Sequence, residues 1–169
     1  MFPDDIEATS RRIIAVAERG RMWLTTAESC TGGLIGAALT SIPGSSAVYD
    51  RGFITYSNAA KTELIGVAEA LLARHGAVSE PVARAMAEGA RRRSGADLAV
   101  SVTGIAGPGG GTADKSVGRV HFGLAYGDDQ VLHHVEDYGD LGRTQVRLAA
   151  VRTALGLLEW GLAQALERP

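Results

Sequence analysis

Apolar positions along this chain recur with two periods, and the alternation between them predicts an ordered series of helices and strands. Over residues 4–19, Ile6, Ile13, Val16 and Ala17 form one stripe behind Asp4 and Asp5, either of which can cap a helix. Residues 22–27 read as a strand. A helix follows over 31–40, entered through Gly32-Gly33, and Pro43-Gly44 breaks the chain after it. β-branched and aromatic residues around Gly52 predict a second strand over 48–56. Short helices over 59–65 and 68–74 are separated by Gly66-Val67. Ser79-Glu80-Pro81 is a helix start, and 82–93 follows with Val82, Met86 and Ala90 on one face. An apolar run over 98–102 ends in Thr103-Gly104 and reads as a buried strand. A glycine-rich loop (107–113) then precedes a hairpin of strands over 117–126 and 130–138 around Gly127-Asp128-Asp129. The clearest helix spans 141–166, where Leu148, Val151, Leu155, Leu158 and Leu162 repeat at spacings of 3, 4, 3 and 4.

Helices alternate with strands early, and the hairpin comes late. That order predicts an α/β fold: a three-layer α/β/α sandwich with a mixed, mostly parallel sheet and a late antiparallel hairpin. The 169 residues show no internal repeat and no long linker, so one domain over 1–169 is expected. A chain of this size buries roughly 70% of its unfolded surface.

Composition narrows the function classes. A net charge of −2 offers no basic face for nucleic acid. The single cysteine excludes an internal disulfide framework and, by itself, a cysteine-based metal site. No apolar run reaches the ~18 residues of a membrane span, and the acidic first residues do not lead into a signal sequence. A cytoplasmic protein is expected. Glycine is in excess at 22 residues, which suggests loops where backbone comes close to something.

Candidate chemistry starts at the first strand-to-helix junction, Glu28-Ser29-Cys30-Thr31-Gly32-Gly33. Open α/β sheets bind ligands at the C-terminal ends of their strands. A helix starting near Thr31 would aim N–H groups at that spot, a geometry that suits an anion or the oxyanion of acyl transfer. The plainer reading of Ser29 is a helix cap. Cys30 competes as nucleophile, since a thiol at a helix start has a lowered pKa, but a lone cysteine is more often a small buried hydrophobe. A serine nucleophile needs a base. His75, His121, His133 and His134 show no triad or metal-ligand spacing, and neighbouring residues of a strand face opposite ways. A lysine remains as the alternative. The chain holds only Lys61 and Lys115 against fifteen arginines, and arginine cannot give up its proton near neutrality. Holding a lysine of pKa ~10.4 neutral at pH 7 costs about 4–5 kcal/mol, which burial or a nearby cation can supply. A solvated charge on a helix face is the bland alternative for Lys61. The loop 104–116 is not a P-loop, because Asp114 stands where that motif has glycine before Lys115-Ser116. It remains a loop able to wrap a ligand or to form a backbone nest. Arg143 and Arg147 share a helix face and could grip a phosphate.

Taken together, Thr26-Ala27-Glu28-Ser29-Cys30-Thr31-Gly32-Gly33, Gly44-Ser45-Ser46, Arg51-Gly52-Phe53-Ile54-Thr55-Tyr56-Ser57-Asn58 with Lys61, Gly76-Ala77-Val78-Ser79-Glu80, Val102-Thr103-Gly104-Ile105-Ala106-Gly107-Pro108, and Gly139-Asp140 with Arg143 resemble the nicotinamide-nucleotide amidases, also called the CinA C-terminal domain family. The resemblance covers most of the chain. It implies deamidation of nicotinamide mononucleotide to nicotinate mononucleotide and ammonia by a serine–lysine mechanism, with no cofactor and no metal. Carried over by position, Ser29 is the nucleophile, Lys61 the base and Tyr56 a partner in the catalytic site. Thr31, Gly32, Gly33, Ser46, Thr103, Gly104, Gly107 and Arg143 would bind substrate, Arg143 at the phosphate. A homo-oligomer, in particular a dimer, is expected by the same analogy. Ser116 departs from the proline expected of the family at that position, away from the proposed dyad. Many members carry a further N-terminal domain, and the stand-alone form is expected here. Two alternatives stay open: a non-catalytic nucleotide or phosphate binder, and a partner protein in DNA uptake or repair, against which the mildly acidic balance argues.

Overall fold

The computed structural model describes residues 1–128 and 130–167, so Asp129 of the expected hairpin turn lies outside the described residues. The elements follow the order α1 (Asp4–Gly20), β1 (Leu24–Glu28), α2 (Leu34–Thr40), β2 (Tyr49–Ile54), α3 (Asn58–Ile65), α4 (Glu69–His75), α5 (Glu80–Ser94), β3 (Leu98–Gly104), β4 (Arg119–Tyr126), β5 (Gln130–Asp137) and α6 (Arg143–Leu166). A short 3-10 turn, Ser45–Ala47, lies between α2 and β2.

The five strands form one sheet in the order β2-β1-β3-β4-β5. β1 runs parallel to both β2 and β3, while β4 is antiparallel to β3 and β5. Four strands therefore point the same way and β4 alone is reversed. Helices cover both faces, as the alternation of the sequence predicts. α1, α2 and α6 close one side over Leu24, Leu98, Val100, Val102, Phe122 and Leu124. α3, α4 and α5 close the other over Ala27, Ala99 and Ala125. Every residue of β1 is buried, as expected of a central strand covered twice. Burying each Leu, Ile, Val or Met of these two clusters contributes about 1.5–3 kcal/mol.

Strand register and one close helix contact fix the sheet's C-terminal edge and α3. The register Glu28↔Ile54 and Glu28↔Val102 brings the C-terminal ends of β1, β2 and β3 side by side. Gly89 lets α5 press against the end of α3, since a Cβ there would lie 2.0 Å from the Ile65 carbonyl oxygen. That contact seats α3 firmly on the sheet. At the N-terminus neither Asp4 nor Asp5 caps α1. Pro3 occupies the cap position and both aspartates sit in the first turn, where they complement the helix dipole.

Candidate active site

The three parallel strands end in two short connections that face each other. β1 runs into the turn 29–33, and β2 runs through Thr55 and Tyr56 into α3. The sheet pattern persists one residue past each strand: the Ser29 N–H donates to the Val102 carbonyl at 2.9 Å, and the Thr55 N–H to the Glu28 carbonyl at 2.8 Å. Ser57 then caps α3, its hydroxyl accepting from the Ala60 N–H at 3.0 Å. One turn later Lys61 points inward.

Lys61 is 1% exposed. Its Nζ lies 3.1 Å from the Ser29 Oγ and donates to the Thr55 carbonyl at 2.8 Å. Among the described residues, no carboxylate forms an ion pair with it. Burial therefore holds the Lys61 pKa below the ordinary lysine range, with a small opposing effect from Cys30. An amine with one N–H on a carbonyl and no counterion is suited to keep a lone pair for the neighbouring hydroxyl. Ser29 itself is nearly buried at 9%.

The turn after Ser29 departs from expectation. The helix begins at Leu34 and not at Thr31, because Gly32 and Gly33 adopt left-handed conformations with φ of 60° and 96°. Ser29 does not cap this helix. The cap is the Glu28 carboxylate, itself 1% exposed. Its Oε2 accepts from the Thr31 hydroxyl at 2.7 Å and from the Gly33 and Ile35 N–H groups at 3.0 Å, and its Oε1 accepts from the Gly36 N–H at 2.8 Å. The Gly32 N–H goes to the Ser29 carbonyl at 3.0 Å. The N–H groups of Gly32 and Gly33 are thus spent within the protein, while those of Cys30 and Thr31 meet no acceptor among the described residues.

Cys30 packs into the core beneath α1, α2 and α6, and burial pushes its thiol up to about 12. The histidines stand apart from Ser29. His121 and His133 face each other at 3.0 Å, and His134 turns to the opposite side, toward Glu136 and Phe122.

The remaining candidates divide. Arg143 reaches across from the start of α6, donating to the Gly107 carbonyl at 3.0 Å and to the Tyr56 hydroxyl at 2.9 Å. Tyr56 is 60% exposed and hydrogen-bonds to neither Ser29 nor Lys61. Arg147 does not share the grip expected of the arginine pair. It points inward and donates to the Thr31 carbonyl at 2.8 Å. The Thr103 hydroxyl is committed to the Ala77 carbonyl at 2.9 Å and ties the α4–α5 connection to β3. Gly104 is pressed by β4, since a Cβ would meet the Arg119 oxygen at 2.8 Å. Ser46 is not brought to this site. It precedes the start of β2, at the opposite end of the parallel pair β1–β2 from Ser29, because α2 carries the chain back along the sheet. The reading of residue types missed Glu28 as a cap and the Thr55 carbonyl as the lysine's acceptor. Only the adjacency of Glu28 to Ser29 hinted at the former.

Residues 6–162 match the CinA C-terminal domain. The chain belongs to that family. A member from Enterobacter agglomerans, named nicotinamide-nucleotide amidohydrolase PncC, is 54% identical over 136 residues, covering 79% of this chain and 83% of its own. A CinA-like protein of Syntrophus aciditrophicus is 48% identical over 164 residues, which make up 96% of this chain but only 39% of that longer protein. Among solved CinA-superfamily structures, the competence/damage inducible protein CihA of Agrobacterium tumefaciens superposes with a TM-score of 0.94 at 55% identity over 97% of this chain and 99% of that one. The CinA superfamily protein of Escherichia coli superposes with a TM-score of 0.87 at 35% identity, over 94% of this chain and 92% of that one.

Proposed function

We propose that this CinA-family chain is an amidohydrolase that converts nicotinamide mononucleotide to nicotinate mononucleotide and ammonia through a Ser29–Lys61 dyad. The class and substrate are those named for the PncC relative. The observation that carries the mechanism is the buried Lys61 Nζ, without an ion pair among the described residues, 3.1 Å from the Ser29 Oγ.

The neutral amine takes the Ser29 proton as Oγ bonds to the carboxamide carbon, which the pyridinium ring makes electron-poor. The carbonyl π electrons move to oxygen. The Cys30 and Thr31 N–H groups are the donors suited to that oxyanion. Of the expected substrate-binding residues Thr31, Gly32 and Gly33, only Thr31 keeps an N–H for it, since those of Gly32 and Gly33 are used within the protein. Collapse of the intermediate breaks the C–N bond. The departing nitrogen takes the proton held by Lys61 and leaves as ammonia. Water then attacks the acyl-enzyme, giving its proton to Lys61, which returns it to Oγ as the ester bond breaks. The balance is carboxamide plus water to carboxylic acid plus ammonia. Arg143 is the candidate for the phosphate, since its guanidinium rests on the Gly107 carbonyl and the Tyr56 hydroxyl without a carboxylate partner among the described residues. The proposed role of Tyr56 and Gly107 is to hold Arg143, and Gly104 is a proposed lining residue beside them.

The test is purified protein with nicotinamide mononucleotide, with ammonia release followed in the presence and absence of a chelator. Turnover is expected in both conditions and is expected to collapse in Ser29→Ala with substrate binding retained. Wild-type protein that binds the nucleotide and releases no ammonia would make it a binder and not an enzyme.

A further inference from the structure

Two charged side chains converge on the turn that follows Ser29, and neither has an ionic partner among the described residues. Four donors meet the Glu28 carboxylate from within the turn and the first residues of α2. Arg147 approaches from α6, and its guanidinium passes over Gly32, where a Cβ would lie 3.3 Å from Nη2. Its buried Nε has no acceptor among the described residues, so the guanidinium holds the turn through the Thr31 carbonyl. Thr31 is therefore held at both ends, by its hydroxyl on Glu28 and by its carbonyl on Arg147. The group left over is its own N–H, together with that of Cys30. Both residues are buried, and a buried N–H without an acceptor is unfavourable unless a ligand supplies one.

We propose that Glu28 and Arg147 are positioning residues: they clamp Thr31 so that the Cys30 and Thr31 N–H groups are set toward the oxyanion formed at the Ser29 acyl carbon. This rests on the acyl-enzyme reading above. The carboxylate is chemically required. It only accepts, so it satisfies all four donors, whereas a glutamine amide would turn two N–H bonds toward donors of its own kind. Arginine suits the other side because a planar guanidinium can lie over a residue with no side chain.

The experiment compares Glu28→Gln and Arg147→Met with the wild type in the full chain, with nicotinamide mononucleotide as substrate and nicotinate mononucleotide as a product inhibitor. Circular dichroism establishes folding. Loss of preorganised oxyanion donors lowers kcat by roughly a hundredfold in Glu28→Gln and by about tenfold in Arg147→Met. KM stays within about twofold, because the neutral carboxamide of the ground state makes little use of these donors. Inhibition by the product, whose carboxylate places an anionic oxygen on the same donors, weakens along with kcat. The pH at which the rate is half-maximal stays where it is in the wild type, because Lys61 is untouched. A kcat within about threefold of wild type in both folded variants overturns the clamp. So does a fall in kcat/KM that comes from a raised KM with kcat unchanged, or a displaced pH midpoint, which would mean that the charges act on the pocket or on Lys61. If Glu28→Gln is unfolded, Arg147→Met decides by the same readings. Wild-type protein that releases no ammonia sinks the amidase reading, whereas an active wild type beside unimpaired variants sinks the clamp alone.

Discussion

Lys61 on α3 and Lys115 on the glycine-rich loop each donate to a backbone carbonyl at 2.8 Å, Thr55 in one case and His75 in the other. Their surroundings differ. The protein closes over Lys61 until 1% of it is exposed and sets the Ser29 hydroxyl beside it, whereas Lys115 is only partly buried on a loop that reaches water. A carbonyl accepts a hydrogen bond from an ammonium and from an amine alike, so the hydrogen bond does not separate the two lysines. Desolvation does, because it penalises only the charged form. That makes Lys61 the proposed base and leaves Lys115 tethering the loop to the His75 carbonyl.

The sharpest way to break this contrast is to hold both charges fixed. Lys61→Arg is expected to lower turnover about a thousandfold, since arginine keeps the charge and cannot accept the Ser29 proton. Lys115→Arg is expected to change it less than about twofold. Ammonia release checks both, and a Lys61→Arg rate above about a tenth of wild type would remove the base from the mechanism.

Stability against pH gives the next largest effect. A lysine whose pKa is lowered by folding is bound to a proton in the unfolded chain and not in the folded one, between its lowered value and the ordinary ~10.4. Unfolding takes up a proton in that window, so stability rises with pH there, by at most about 1.4 kcal/mol per pH unit. Denaturant titrations of the wild type should show this rise relative to Lys61→Met.

The thiol beside the nucleophile extends the comparison from amines to sulfur. With its pKa pushed up to about 12, Cys30 carries almost no thiolate at neutral pH. Cys30→Ala should keep kcat within about threefold while costing on the order of 1–2 kcal/mol of stability. Iodoacetamide should leave the folded protein unmodified and active. The smallest effect is expected from Lys115→Met, a rise in KM of about twofold as the loop loses its hold on His75, with kcat unchanged.

Residue economy singled out Ser29 and Lys61 as candidates, a serine at a strand end and one of two lysines among fifteen arginines. Taken alone, however, the residues favoured a helix cap and a solvated charge, and only the resemblance to the family paired them. The helix boundary at Leu34 was not legible. Nothing in the order of residues says that a carboxylate at the end of a strand will serve as the cap for a helix that starts six residues later. Ser46 was misplaced for a reason of direction. A helix that follows a parallel strand returns the chain to the far end of the sheet, so closeness to Ser29 in sequence becomes separation in space. Arg143 and Arg147 do share a helix face, as their spacing requires. An offset of one turn, about 5.4 Å along the axis, nevertheless sends one guanidinium to Gly107 and Tyr56 and the other to Thr31. Which goes where depends on how α6 docks on α1 and the sheet, and spacing does not carry that information.

Arg147 lies on α6, the sixth helix in chain order, whereas Ser29 and Lys61 are complete by the end of α3. A ribosome making this protein therefore exposes its reactive pair long before it releases the guanidinium that grips the Thr31 carbonyl. Under the proposed clamp, the unfinished chain should turn over at least about tenfold more slowly until the closing helix settles, so that synthesis itself delays full activity.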